Sequence, residues 1–180
     1  MKSILMSIRK PIADTIFKTW TKRLEYRTRF NKDFKGRVYV YESGKDGGKV
    51  AGFFDVERVI YARHDAAPTP EDWNILDGLD QKNFDEFFMI KAHAKPSVYA
   101  IEIKNVHRYY TQRTLKDFFE FYKPDMKTEV NRPPQSWQYI EIKGHAIDYP
   151  YALVDKVMPA TPTEGESPTE EFMKERLKNE

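Results

Sequence analysis

Apolar and polar residues alternate along this chain with the period of a strand in most places and with the period of a helix in a few. Ser3–Ile8 is a short, mostly apolar run of the kind a buried strand shows. Pro11 suits the first turn of a helix, where its missing N–H costs nothing. Ile12, Ile16, Phe17 and Trp20 then share one helical face, which predicts a helix from about Pro11 to Trp20. From Lys22 to Phe30 the period drops to two. Leu24, Tyr26, Thr28 and Phe30 alternate with Arg23, Glu25, Arg27 and Arg29, giving a strand with one packed and one charged face. Arg37–Glu42 and Lys49–Ile60 read as two more strands, and the glycine-rich stretch from Ser43 to Gly48 joins them as a hairpin. Gly52 marks a bulge or a close backbone approach within the second of them.

Further along, Thr69 and Pro70 look like the cap and first position of a helix, and Asp80 caps another that aligns Phe84, Phe87 and Phe88. Ser97–Tyr109 reads as one long strand, Thr114 opens a short helix to about Phe121, and Trp137–Ile142 is a last core strand. Tyr151–Val157 adds an edge strand. From Pro159 the composition turns to Pro, Thr, Ser and Glu, so the reading is one domain over residues 1–157 and a flexible acidic tail over 158–180. Within that tail, Ser167–Glu170 is able to start a short helix carrying Phe172, Met173 and Leu177. Strands and helices alternate without the steady period of a doubly wound sheet. The predicted class is α+β, a small β-barrel decorated with short helices.

Composition narrows this only in part. A length of 180 residues with 40% apolar content supports one domain with a real core. The net charge of +2 points to no partner, but its distribution is uneven. Residues 1–40 carry 11 Lys/Arg against 3 Asp/Glu, a balance of +8, which suits either a phosphate-bearing ligand or a solvated cationic surface. The absence of cysteine excludes disulfides, thiolate metal sites and a cysteine nucleophile. The apolar stretch at the N-terminus is broken by Arg9 and Lys10, too soon for a membrane span, and a cytosolic location is expected.

The strongest local feature is Lys22-Arg23-Leu24-Glu25-Tyr26-Arg27. On a strand Glu25 and Arg27 point to the same side, and a carboxylate between cations stays ionised and orients them. Such a cluster holds a phosphate or a base edge, or is simply a solvated face with matched charges. His64, His93, His107 and His145 are scattered without zinc-ligand spacing. Ser43 lacks the glycines of a nucleophile elbow, and Gly44–Lys49 lacks the spacing of a phosphate-binding P-loop. No cofactor or metal follows from any motif.

The order of these motifs resembles the ASCH family. Ile4–Pro11, then Ile16, then Lys22, Glu25 and Arg27 match its opening signature, a strand, a helix and Gly-x-Lys-x-x-Glu-x-Arg, with Trp20 at the glycine position. Val38–Ser43, Lys49–Phe54, Phe84–Phe88 before Tyr99–Ile103, and Arg132–Trp137 follow in family order, so the resemblance spans Ile4 to Ile142. It implies a PUA-like barrel that binds RNA, a nucleotide or a nucleoside in a basic cleft. On that reading Lys22, Glu25 and Arg27 face the ligand, and Arg9, Lys10 and Arg132 join them. Ser43, Gln135 and Ser136 offer polar contacts, the last two serving equally well in local turn bonds. Tyr41 and Trp137 offer stacking faces or pack in the core. One branch of the family resembles acetylcytidine amidohydrolases, where a Lys and a Thr three residues later carry hydrolysis. Lys22 matches that Lys, but Glu25 stands at the Thr position. The alternative function is therefore hydrolysis of modified nucleosides or of RNA, with Glu25 activating water and Lys22 steadying negative charge.

Overall fold

A computed structural model describes residues 3–63, 71, 97–115, 121–125 and 127–142. Ser3–Arg9 forms β1, and Lys10–Phe17 forms the helix α1. Leu24–Arg27 is β2, Gly36–Ser43 is β3, Lys49–Val56 is β4 and Val59–Arg63 is β5. Ser97–Glu102 is β6, Lys104–Arg113 is β7, Phe121–Tyr122 is β8 and Trp137–Ile142 is β9. The strands make two sheets, β7-β4-β3-β1-β9-β8 and β2-β6-β5. β1 lies in the middle of the larger sheet, parallel to β3 and antiparallel to β9. Among the described residues the pairing does not close into a barrel, so the architecture is β-rich with two sheets and one short helix.

Alternation along β1 and β3 divides the core in two. Ile4, Met6, Ile8, Val38 and Val40 face α1 and the smaller sheet, where they meet Ile16, Phe17, Phe54 and Ile101. Leu5 and Tyr39 face the other way, onto Val50, Phe53, Leu115 and Ile140. The helix begins at Lys10, with Pro11 in its first turn, and it buries Ala13, Ile16 and Phe17. Ile12, expected on the packed face, stays 38% exposed, because Ala13 takes the inward position.

The helix also stops earlier than the period predicts. The amides of Lys18 and Thr19 both bond the Asp14 carbonyl, at 2.8 and 3.2 Å, so the last turn closes with one regular bond and one wider bond that spans five residues. Trp20 then turns the chain through a left-handed conformation at φ 56°. A glycine at this position would adopt that conformation without steric cost. Here the Trp20 indole N–H donates to the Phe17 carbonyl at 3.2 Å and helps hold the turn.

Two predicted strands are each two strands. Lys49–Ile60 breaks after Val56, and Ser97–Tyr109 breaks at Ile103, so each passes from one sheet to the other. The corners are tied together, with the Glu102 amide on the Arg58 carbonyl at 3.1 Å and the Ile103 amide on the Arg23 carbonyl at 2.9 Å. Both readings of Gly52 hold. The β3–β4 register skips Ala51, and a Cβ on Gly52 would collide with the His107 carbonyl of β7. The helices predicted at Thr69 and Asp80, the body of the one at Thr114, the strand at Tyr151–Val157 and the tail lie outside the described residues.

Candidate functional site

β2 is an edge strand of the smaller sheet, with Glu25 opposite Ile101 and Arg27 opposite Tyr99 on β6. Ile101 belongs to the core cluster between the sheets, so the charged side of β2 points inward. This resolves the ambiguity left by the alternation. Glu25 is buried, with its side chain 7% exposed, between Arg27 Nη2 at 2.9 Å and Lys22 Nζ at 3.6 Å. Arg23 is half-buried and Arg29 is exposed, and neither joins a described ion pair.

Arg27 links β2 to the end of the larger sheet. β9 pairs with β1 only as far as Met6, which leaves the Ser7 carbonyl without a β9 partner. Arg27 Nη2 donates to that carbonyl at 2.9 Å, and Nη1 lies 3.4 Å from the Ser136 hydroxyl. Ser7 holds the approach to β9 as well. Its amide donates to the Ser136 carbonyl at 2.8 Å, and its hydroxyl donates to the Pro134 carbonyl at 2.6 Å. The terminal nitrogens of Arg27 are thus engaged by protein, while its buried Nε–H has no hydrogen-bond partner among the described residues. An unmet buried donor costs on the order of 1–3 kcal/mol, so the surrounding bonds hold this guanidinium against its own preference.

Lys22 is differently placed. Its amide bonds the Thr15 carbonyl at 3.2 Å, fixing it just after the helix exit. Its ammonium sits 5.1 Å from the centre of the Tyr26 ring and, among the described residues, makes a single long ion pair with Glu25. An ammonium has three donors, so Lys22 keeps capacity for another acceptor.

The other candidates spread around this centre. Arg9 is exposed at the helix N-cap and pairs in register with half-buried Ser43. Arg132 and Gln135 are exposed in the loop before β9. Lys10 holds both oxygens of Asp14, at 3.0 and 3.1 Å, and this contact raises its pKa, burial opposing and the Glu42 carboxylate assisting. Trp137 packs edge-on against Phe30 and Tyr139, and its indole N–H donates to the Arg29 carbonyl at 2.8 Å. Tyr41 packs with the second cluster, on the face turned away from α1 and the smaller sheet. The contribution of Ser7 was invisible in the sequence, because it depends on a contact with residues 127 positions away. Among the described residues no group of three or more metal-binding side chains forms, and no helix is long and apolar enough to cross a membrane.

No family model and no curated protein matches the sequence. Solved structures do match it. The ASCH protein from Zymomonas mobilis superposes with a TM-score of 0.52 at 16% identity, covering 77% of this chain and 87% of that one. A tyrosine-to-phenylalanine variant of the same protein gives a TM-score of 0.51 at 16% identity, over 77% and 90% of the two chains. A serine-to-alanine variant gives 0.50 at 14% identity, over 77% and 87%. The chain has the ASCH fold. At this identity the likeness concerns architecture alone. Within the ASCH fold of this chain, the Lys-x-x-Glu-x-Arg strand is the inward-facing edge of the smaller sheet, and Arg27 joins it to the start of β9.

Proposed function

We propose that this protein binds RNA or a nucleotide in the cleft at Lys22, Glu25 and Arg27. The observation that carries the reading is the division of labour within the triad. Glu25 and the Ser7 carbonyl both hold Nη2 of Arg27, forming a fixed frame. Lys22 hangs on that frame by one 3.6 Å contact, with spare donors and partial exposure. A preorganised cation with open hydrogen-bonding capacity suits a phosphate or a base carbonyl. The Ser136 hydroxyl beside Arg27 adds a neutral contact, and exposed Arg9 and Arg132 supply outer phosphate contacts. The ASCH resemblance favours the same ligand class.

The test is an anisotropy titration of a labelled single-stranded RNA at low and moderate salt. Affinity falls steeply with salt, since each phosphate neutralised contributes a logarithmic slope of about −0.7. Lys22→Ala weakens binding roughly tenfold at low salt, the scale of one charge-assisted hydrogen bond. A folded protein that binds no RNA or nucleotide at low salt refutes the reading.

A further inference from the structure

The inner face of the smaller sheet carries a row of side chains that extends the motif at Arg27 by two tyrosines. Arg27 lies directly opposite Tyr99 in the β2–β6 pairing, and Tyr99 lies directly opposite Tyr61 in the β6–β5 pairing. Directly opposed residues of antiparallel strands leave the same face, with Cβ atoms about 5 Å apart. A guanidinium and two phenols therefore stand side by side, next to Glu25 and Ile101. The two rings are 5.0 Å apart between centroids and tilted by 40°.

Both tyrosines are half-buried, whereas the core aromatics Phe34 and Phe54 are covered. The row thus keeps some aromatic surface open beside an ion cluster. A site for a bare anion has no use for such surface, and a site for an apolar molecule has no use for the triad. Both features together fit a ligand with a planar aromatic part and an anionic part. The aromatics that the sequence put forward are committed elsewhere, Trp137 to its edge-on packing and Tyr41 to the opposite face.

We propose that Tyr99 and Tyr61 form a stacking surface for an unpaired nucleobase whose phosphate is held at Lys22. This inference rests on the nucleotide-binding reading above and names the part of the ligand that would give selectivity over plain polyanions. Stacking on tyrosine tolerates any base but requires one that is splayed out, because a base inside a duplex does not present its face. The ligand class is accordingly single-stranded RNA or a free nucleotide, not a duplex.

The experiment uses the full chain and two single-stranded RNA octamers, one carrying 2-aminopurine and one abasic throughout. Binding quenches 2-aminopurine fluorescence as the base stacks. Tyr99→Leu and Tyr61→Leu each weaken binding of the base-containing octamer by roughly 5- to 150-fold, the range measured for loss of one aromatic stack. Both leave the weaker binding of the abasic octamer unchanged, while Lys22→Ala weakens both octamers. Leucine variants that bind like wild type, while Lys22→Ala still weakens binding, overturn the stacking surface and leave the cleft reading intact. A wild type that binds neither octamer overturns both. Should a leucine variant fail to fold, the wild-type complex decides, since an unquenched 2-aminopurine in a saturated complex overturns the proposal.

Discussion

Removal of Glu25 tests the frame that holds the ion cluster together. At an effective dielectric near 20, its 2.9 Å contact with Arg27 carries an attraction of about 6 kcal/mol. Much of this offsets the desolvation of two largely buried groups, so the pair adds less to stability than its attraction suggests. Breaking it from one side is another matter. Glu25→Leu leaves the guanidinium and the Lys22 ammonium crowded in a space only about a fifth open to water, with no counter-charge among the described residues. The expected cost is about 3–5 kcal/mol for Glu25→Leu and a similar amount for Arg27→Leu. The double variant removes both charges, and its cost falls short of the two single costs added together by about 2 kcal/mol or more. Urea unfolding followed by tryptophan fluorescence measures all three. Single costs that add within about 0.5 kcal/mol would show that the two side chains do not act as a unit.

Two further outcomes follow from the larger sheet. Gly52→Ala forces a Cβ against the His107 carbonyl, with Arg108 Cα at 2.9 Å, and only backbone is available to yield. A loss of at least about 1–3 kcal/mol in urea unfolding is expected, and a variant within about 0.5 kcal/mol of wild type contradicts the close approach. His107 stacks on Phe53 at 4.6 Å, and burial first, then the Arg37 cation, hold its pKa below the ordinary 6.5, with Asp55 opposing. The unfolded chain then binds the proton more readily than the folded one, so this stabilisation is complete above pH 6.5 and is lost as pH falls toward the lower folded value. His107→Gln flattens the fall in urea midpoint between about pH 7.5 and pH 5.5. An equal fall in variant and wild type would refute the assignment.

Much of the fold could be read along the chain because local chemistry fixes it. The apolar run of β1, the Val-Tyr alternation of β3 and the glycine hairpin after it all form where expected. The corners could not be read. Val56 and Val59 flank one break and Ile103 sits at the other, so the apolar pattern runs on while the chain changes sheet. At the site, period two placed Glu25 and Arg27 on one side of a strand but does not say which side meets solvent. The pairing of Glu25 with the core residue Ile101, and the Ser7 carbonyl and Ser136 brought in from β1 and from just before β9, show that it turns inward. Tyr99 and Tyr61 were not legible as site residues for a related reason, since their adjacency to Arg27 is a matter of register between strands.

The contacts of Ser7 with Pro134 and Ser136 set a timetable for biosynthesis. A chain leaving the ribosome makes β1, α1 and the β3–β4 hairpin from nearby residues, but the clamp at Arg27 needs residues more than a hundred positions later. Such distant pairings form slowly, because a long loop must close before they are rewarded. The ion cluster of Lys22, Glu25 and Arg27 is therefore among the last features to assemble. A nascent chain stalled before residue 134 carries the whole Lys-x-x-Glu-x-Arg motif yet lacks the geometry that gives it meaning.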